Sequence, residues 1–252
     1  MMLRNWAFAF LLPRPLVGLA HLPRYLRHWR EFARRAGAAA PRFADSYPCL
    51  GDWTAHTPFD AHYLYQGAWL ARRLAARAVR QHVDVGSSVL MLSVLSATVE
   101  VLHLDYRPPE LRLPGLRCAA GDIVALGAAS ASIASLSCLH VIEHVGLGRY
   151  GDPIDPEGAC KAAAELVRVL APGGRLYVTA PVGRERVCFN AHRVFAPDNL
   201  AAMFAPLRVE RFALVDDAGR FSDPADPAAA ARLEYGCGML ELSKAAADGG
   251  HP

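Results

Sequence analysis

Apolar positions in this chain recur with two different periods, and their alternation predicts the architecture. From residue 60 the run DAHYLYQGAWLARRLAARAVR places Leu64, Ala68, Ala71, Leu74, Ala75 and Ala78 on one helical stripe, with Arg72, Arg73, Arg77 and Arg80 mostly elsewhere. Short apolar runs then predict strands over 82–86, 99–105, 116–119 and 133–140, with a short helix over 87–97. Asp155-Pro156-Glu157 supplies an N-cap, a first-turn proline and an early acid for a helix whose apolar period continues through Leu166 and Leu170. Ala171-Pro172-Gly173-Gly174 turns that helix into a fifth strand over 175–180. A helix over 197–204 and strands over 207–215 and 235–242 complete the pattern, with 216–232 a surface loop and the tail from 245 disordered. Strands alternating with helices, followed by two strands with no helical pattern between them, predict an α/β fold. The expected sheet is Rossmann-like, doubly wound and mostly parallel, with an antiparallel C-terminal edge strand.

Composition changes this picture mainly at the N-terminus. The 252 residues are 53% hydrophobic and 20% charged, enough for one large globular domain, and the net charge of +3 is too small for a dedicated nucleic-acid binder. Residues 1–45 hold eight Arg against Glu31 and Asp45, a balance of +6 that leaves −3 for the rest, and all four Trp fall in the first 70 residues. The reading is a basic extension over 1–45 on a domain over 46–244. Residues 16–36 are basic and amphipathic, which suits either peripheral contact with an anionic membrane or packing on the chain's own domain. The apolar stretch from Trp6 to Leu12 is at the short limit for a signal-peptide core. Residues 123–142 lack any Asp, Glu, Lys or Arg, yet their serines, glycine and histidine fit a buried strand and its approach better than a membrane span. The six cysteines lie far apart with no zinc-type spacing, so a reduced, cytoplasmic protein is expected, peripheral to the inner membrane face if the extension docks there.

In a doubly wound sheet, ligands sit beyond the carboxyl ends of the strands, so residues there are the informative ones. After the first strand comes Asp84-Val85-Gly86-Ser87-Ser88, where a glycine lets backbone approach a ligand at a helix start. Asp105, nineteen residues beyond Gly86, stands where an acid can take two ribose hydroxyls, and Gly121-Asp122-Ile123 offers a carboxylate and an amide to an adenine edge. The fourth strand ends in His140, a candidate general base, followed by Glu143, His144 and a Gly-rich loop containing Arg149. Glu143 and His144 suit either a structural helix start or the acceptor site. Asn190, His192 and Arg193 follow the fifth strand, where they can either receive a hydroxyl-rich or anionic acceptor or hold a surface loop. His140, His144, Asp152 and His192 lack compact ligand spacing, so no metal is expected, and a nicotinamide site is disfavoured because no G-x-G-x-x-G follows the first strand.

Val141-Ile142-Glu143-His144-Val145 and Leu170-Ala171-Pro172-Gly173-Gly174-Arg175-Leu176-Tyr177-Val178 resemble the "LEHV" and "LKPGGRLYV" motifs of class I S-adenosylmethionine-dependent methyltransferases. YPCLGDWTAHTPFDAHYLYQ, HVDVGSS, CLHVIEHVGLGRYGDPIDPEG, PVGRERVCFNAHRVF and EYGCG, spanning about residues 47–242, resemble an uncharacterised domain family within that superfamily. The resemblance implies a seven-stranded fold and bound S-adenosylmethionine, held by Asp84, Gly86, Ser87, Ser88, Asp105, Tyr106, Asp122, Ile123 and Leu139. The expected reaction is methyl transfer to a small-molecule or glycan acceptor, the glycan suggested by the basic extension, and the positions after the strands offer His140 and His192 as catalytic and Glu143, His144, Arg149, Asn190 and Arg193 as acceptor-binding residues. The superfamily pattern is Asp-x-Gly-x-Gly-x-Gly, and here Ser88 and Leu90 replace the second and third glycines. Both side chains are expected to narrow the cofactor space. The alternative is a non-catalytic binding or scaffold protein on the same fold.

Overall fold

Five of the apolar runs pair in parallel: β1 (Gln81–Val85), β2 (Glu100–Asp105), β3 (Leu116–Ala120), β4 (Ile133–Leu139) and β5 (Leu170–Val182). In this computed structural model, which describes residues 15–246, they are followed by a two-stranded hairpin of β6 (Arg186–Cys188) and β7 (His192–Val194). Then come β8 (Arg208–Val215), the two-residue β9 (Phe221–Ser222) and β10 (Gly236–Ser243). The main sheet runs β3-β2-β1-β4-β5-β10-β8-β9, with β10 antiparallel to both β5 and β8. The expected antiparallel C-terminal strand is therefore β10, lodged between β5 and β8, and β9 adds a short eighth strand at that edge. Because β1 has β2 on one side and β4 on the other, the chain reverses its direction of winding there. A crevice opens at that point, beyond the carboxyl ends of the strands.

Helices cover both faces of the sheet. α2 (Ala61–Ala76) and α3 (Val89–Leu95) bring Trp69, Leu70, Leu74, Leu92 and Leu95 into one buried cluster. α4 (Gly158–Val169) and α5 (Pro197–Ala202) bring Ala162, Ala163, Leu166, Val169 and Leu200 into the other. Strand periodicity sorts the sheet between them: Leu176, Val178, Ala180 and Val182 of β5 join the second cluster, while Tyr177 joins the first. α2 starts at Asp60, whose side chain accepts from Tyr63 N at 3.2 Å. α4 starts later than Asp155-Pro156-Glu157 predicts. Asp155 N donates to Gly146 O at 2.9 Å, holding Asp155 on the neighbouring loop, and the helix opens at Gly158 with Glu157 as N-cap. Likewise, Pro172-Gly173-Gly174 does not precede β5 but bulges out of it, between the pairs Ile133–Leu170 and Ser135–Arg175. The loop expected over 216–232 carries β9 and a one-turn helix, α6 (Pro227–Ala230).

The chain divides into two compact units, one ending at Phe59 and the other beginning at Asp60. The first contains α1 (Pro15–Ala36) and, within the unit, an Arg24 guanidinium 3.7 Å above the Trp53 ring and an edge contact of Trp29 with Phe43 at 5.1 Å. The apolar stretch at Trp6–Leu12 and the tail beyond residue 246 lie outside the described residues. Among the described residues, no helix is long and apolar enough to cross a membrane.

One feature of the sheet is polar where an apolar core is the norm. His82 is buried on β1, with Nδ1 2.7 Å from Ser135 Oγ and Nε2 2.8 Å from Ser137 Oγ. Burial pushes its imidazole down to about 4, against a weaker opposing pull from Asp84. An unfolded chain, with His82 near its ordinary value, binds the proton first as pH falls. The stabilisation from a neutral His82 is therefore complete above about pH 6.5 and lost as pH drops toward 4, a swing of about 3 kcal/mol. Urea denaturation at pH 7 and pH 4.5 is expected to show a smaller acid loss in His82→Gln than in the parent. Equal losses would contradict this assignment.

Candidate functional site

The turn after β1 is built on Asp84. This side chain is fully buried; Oδ1 accepts from Ser87 N (3.0 Å) and His103 Nδ1 (3.0 Å), and Oδ2 accepts from Ser87 Oγ (2.6 Å) and from Ser137 Oγ. His103 and Ser137 sit in register with Asp84 on the two flanking strands, so one carboxylate ties β2, β1 and β4 together under the loop. This corrects the sequence expectation that Asp84 touches a ligand: its oxygens are occupied and it is absent from the cavity wall. Ser87 Oγ, having donated to Asp84, accepts from Leu139 N at 3.0 Å, which fixes the loop against the end of β4. Gly86 adopts φ +72°, and a Cβ there would stand 2.9 Å from Val141 Cγ1, so the position requires glycine for both conformation and space. Leu90 does not narrow the crevice. It lies on α3 with 80% of its surface exposed and takes no part in the cavity, whereas Ser88, the N-cap of that helix, does line it.

A cavity of about 480 Å³ opens at the ends of β1 to β4, within the ~300–1,000 Å³ typical of small-molecule sites. Gly86, Ser87 and Ser88 from the first loop, Asp105 and Tyr106 after β2, Asp122 and Ile123 after β3, and Leu139, His140 and His144 around the end of β4 all line it. Asp105 Oδ1 accepts from Arg107 N at 2.6 Å, leaving Oδ2 without a hydrogen bond, 3.8 Å from His103 Nε2. Asp122 Oδ1 accepts from Val124 N at 3.0 Å, which orders the turn after β3. Tyr63, on the helix that in the resembled superfamily often roofs the cofactor, also lines the cavity, as do Arg107 and Tyr150, which were not anticipated from the sequence as ligand-facing groups. Arg107 and Arg149 lie 4.9 and 5.0 Å from the Tyr150 ring centre.

Beyond β4 the backbone turns sharply at His140, with φ +55°. His140 is buried, its Nδ1 2.7 Å from Glu143 Oε1. Burial works against its protonation, but the negative charges available at Cys237 and Glu143 outweigh that, raising His140 well above the ordinary imidazole range. A base that is already protonated accepts nothing, so His140 is poorly suited to the role the sequence suggests for it. His144 fits better. Its Nδ1 donates to Ala191 O at 2.6 Å, leaving Nε2 as the lone-pair nitrogen, and burial lowers its affinity for a proton despite the pull of Glu143. Asp152 shapes the following loop by accepting from Gly146 N (2.8 Å), Gly148 N (3.3 Å) and Tyr150 N (3.1 Å).

The hairpin residues do not meet the cavity. Arg193 is buried, with Nη1 donating to Val145 O (2.6 Å) and Glu143 O (3.4 Å) and Nη2 to Pro156 O (3.3 Å). It clamps the loop from behind and is absent from the cavity wall. Arg149 Nη1 donates to Ala191 O (3.0 Å) and Asn190 Nδ2 to Leu147 O (3.4 Å), so both brace the hairpin against the loop. Glu143 is buried behind the wall, and His192 packs at 5.0 Å on the Tyr235 ring. The acceptor-binding roles expected of Glu143, Arg149, Asn190 and Arg193 and the catalytic role expected of His192 therefore give way to structural ones. A charged residue near a site pattern is equally useful for tying carbonyl groups together.

A family model described as "Caenorhabditis protein of unknown function, DUF268" matches residues 129–229. No curated protein matches the sequence. Among solved structures, the chain is similar to the N-methyltransferase NodS from Bradyrhizobium japonicum WM9 in complex with S-adenosylhomocysteine, with TM-score 0.54, 14% identity, and 86% of this chain and 97% of that one covered. It is similar to the 1,6-didemethyltoxoflavin-N1-methyltransferase of Burkholderia thailandensis, with TM-score 0.50, 15% identity, and 73% and 79% covered. It is similar also to the [4+2]-cyclase SpnF, with TM-score 0.52, 15% identity, and 71% and 82% covered. At these identities the likeness is one of fold.

Proposed function

From the class I S-adenosylmethionine-dependent methyltransferase fold that this chain has, we propose that the protein transfers a methyl group from S-adenosylmethionine to a small-molecule or glycan acceptor. One observation carries the reading: a single open cavity takes Gly86, Asp105 and Asp122 from the ends of three successive parallel strands, while Leu90 turns to solvent. The same observation speaks against a scaffold with a filled pocket. The residues fit the cofactor. Backbone at Gly86 approaches without a side chain, Asp105 Oδ2 is available to ribose hydroxyls, and Asp122 with Ile123 borders the adenine end.

When bound, S-adenosylmethionine supplies a methyl carbon activated by its sulfonium. The chain's part is alignment and proton removal. That methyl group would pass to the acceptor's oxygen or nitrogen, and Nε2 of His144, which lines the cavity, would take the proton the acceptor loses. Ala191 O holds His144 in the required tautomer through Nδ1. Tyr63 and Tyr150 offer aromatic faces to a ring-shaped acceptor. The basic side chains Arg24, Arg27, Arg30, Arg34 and Arg35 of α1 favour a saccharide carried on an anionic lipid, reached from the cytoplasmic face.

The test is label transfer from methyl-tritiated S-adenosylmethionine into saccharide, lipid-linked and small-molecule fractions. His144→Ala is expected to lower the rate about a hundredfold while cofactor affinity is retained. Cofactor binding with no label leaving it in any fraction would overturn methyl transfer and favour another chemistry on this fold.

A further inference from the structure

His62 on α2, His140 at the end of β4 and Cys237 on β10 come from distant parts of the sequence, yet one donor atom of each lies within 4.8 Å of the others. His140 and Cys237 are buried and His62 is partly so. The His62 ring stacks between His140 and Tyr235, with centroids 5.3 Å from each. Of the two nitrogens of His140, Nδ1 is engaged by Glu143 Oε1, and Nε2 is buried with no well-formed hydrogen bond, the Cys237 thiol being its neighbour in the cluster. A buried imidazole nitrogen left unsatisfied is costly. With Nδ1–H donating to the carboxylate, Nε2 faces the cluster, and a metal ion bound there takes its lone pair in place of a proton. A carboxylate holding the far nitrogen of an inward-facing imidazole is the arrangement that orients metal-bound histidines. Glu143 Oε2 is likewise buried without a hydrogen-bond partner.

We propose that His62, His140 and Cys237 bind one divalent transition-metal ion of the zinc class, with Glu143 as the positioning residue for His140. Two imidazoles and one thiolate form a donor set suited to zinc. Ligand atoms about a tetrahedral zinc are roughly 3.5 Å apart, so the three side chains need to close by about 1 Å on binding. Three protein ligands leave a fourth position for water or an acceptor oxygen, nitrogen or sulfur. His140 also lines the cavity, which joins the proposed centre to the site described above. His62 stands on α2, Cys237 on β10 and His140 in the turn that ends β4, so the fold itself brings the three together. Metal binding is a separate claim from cofactor binding and is tested without any cofactor.

The full-length chain is stripped with a chelator and titrated with Co2+, then with Zn2+ in competition. The expected result is one equivalent of Co2+ with the visible absorption of a four-coordinate site and a thiolate-to-metal charge-transfer band. Cys237→Ser is expected to abolish that band. His62→Ala, at the more accessible ligand, is expected to weaken Co2+ at least tenfold while the thermal unfolding of the metal-free chain stays cooperative; it carries the test if Cys237→Ser does not fold. No uptake of Co2+ or Zn2+ at micromolar concentration overturns the proposal, as does a spectrum unchanged in both variants. S-adenosylhomocysteine binding measured in excess chelator keeps failure of this site distinct from failure of the methyltransferase reading.

Discussion

Asp84→Ala is expected to destabilise the protein by about 3–5 kcal/mol, the range for removing one member of a buried charged network. Four hydrogen atoms converge on this carboxylate, from Ser87 N, Ser87 Oγ, His103 Nδ1 and Ser137 Oγ, and the side chain has no exposed surface from which water can replace it. Deleting it strands donors on β2, on β4 and in the turn after β1 at once. Ser87 also loses its anchor, and with it the bond that Leu139 N makes to the Ser87 hydroxyl. Asp84→Asn keeps the shape but presents an NH2 group to at least one donor, so it is expected to be only partly better. Urea denaturation at pH 7 measures both. A loss under 1 kcal/mol for Asp84→Ala would mean that the network is not the support described.

Gly146→Ala is expected to cost about 3 kcal/mol or more and to weaken any ligand of the cavity. Gly146 adopts φ +80°, and a Cβ there would fall 2.0 Å from Asp155 O, a backbone atom that cannot swing away. Relief requires separating Gly146 from Asp155, whose N–H donates to Gly146 O at 2.9 Å, and that contact sets the start of α4. The same shift pulls Gly146 N from Asp152 Oδ2 and loosens the loop carrying Tyr150. Thermal unfolding with and without ligand separates the two effects. A variant that melts with the parent and binds equally well would contradict the packing described for this loop.

Much of the fold was legible because periodicity is a local property. The run from residue 60 and the apolar runs at β1, β2 and β4 declare a helix and strands without reference to anything distant, although the helix ends at Ala76 and buries Gln66, Trp69, Leu70 and Leu74, sharing only Leu74 with the stripe expected from Leu64 to Ala78. The hairpin of β6 and β7 was not legible, because each strand has three residues set in a polar run, too short for a period to show. Within the site, the positions of Gly86, Asp105 and Asp122 after strands point to one crevice, and all three line the cavity. Leu90 was misjudged because a glycine-rich pattern carries no information about when a helix begins. With Ser88 at the N-cap, the chain has already turned and Leu90 points outward. Arg193 was misjudged because a guanidinium serves three carbonyl groups as readily as an anion. The convergence of His62, His140 and Cys237 is a product of tertiary structure, and no spacing in the sequence announces it.

The central claim is that the cavity at the ends of β1 to β4 holds S-adenosylmethionine. Isothermal titration of the full-length chain with S-adenosylmethionine and S-adenosylhomocysteine, alongside Asp105→Ala, tests it most directly. The account predicts saturable one-to-one binding that the substitution weakens by tenfold or more, about 1.4 kcal/mol, with the variant's unfolding unchanged because Asp105 bonds only the neighbouring Arg107 amide. No heat and no thermal stabilisation at millimolar ligand, or equal affinity in Asp105→Ala, would contradict it.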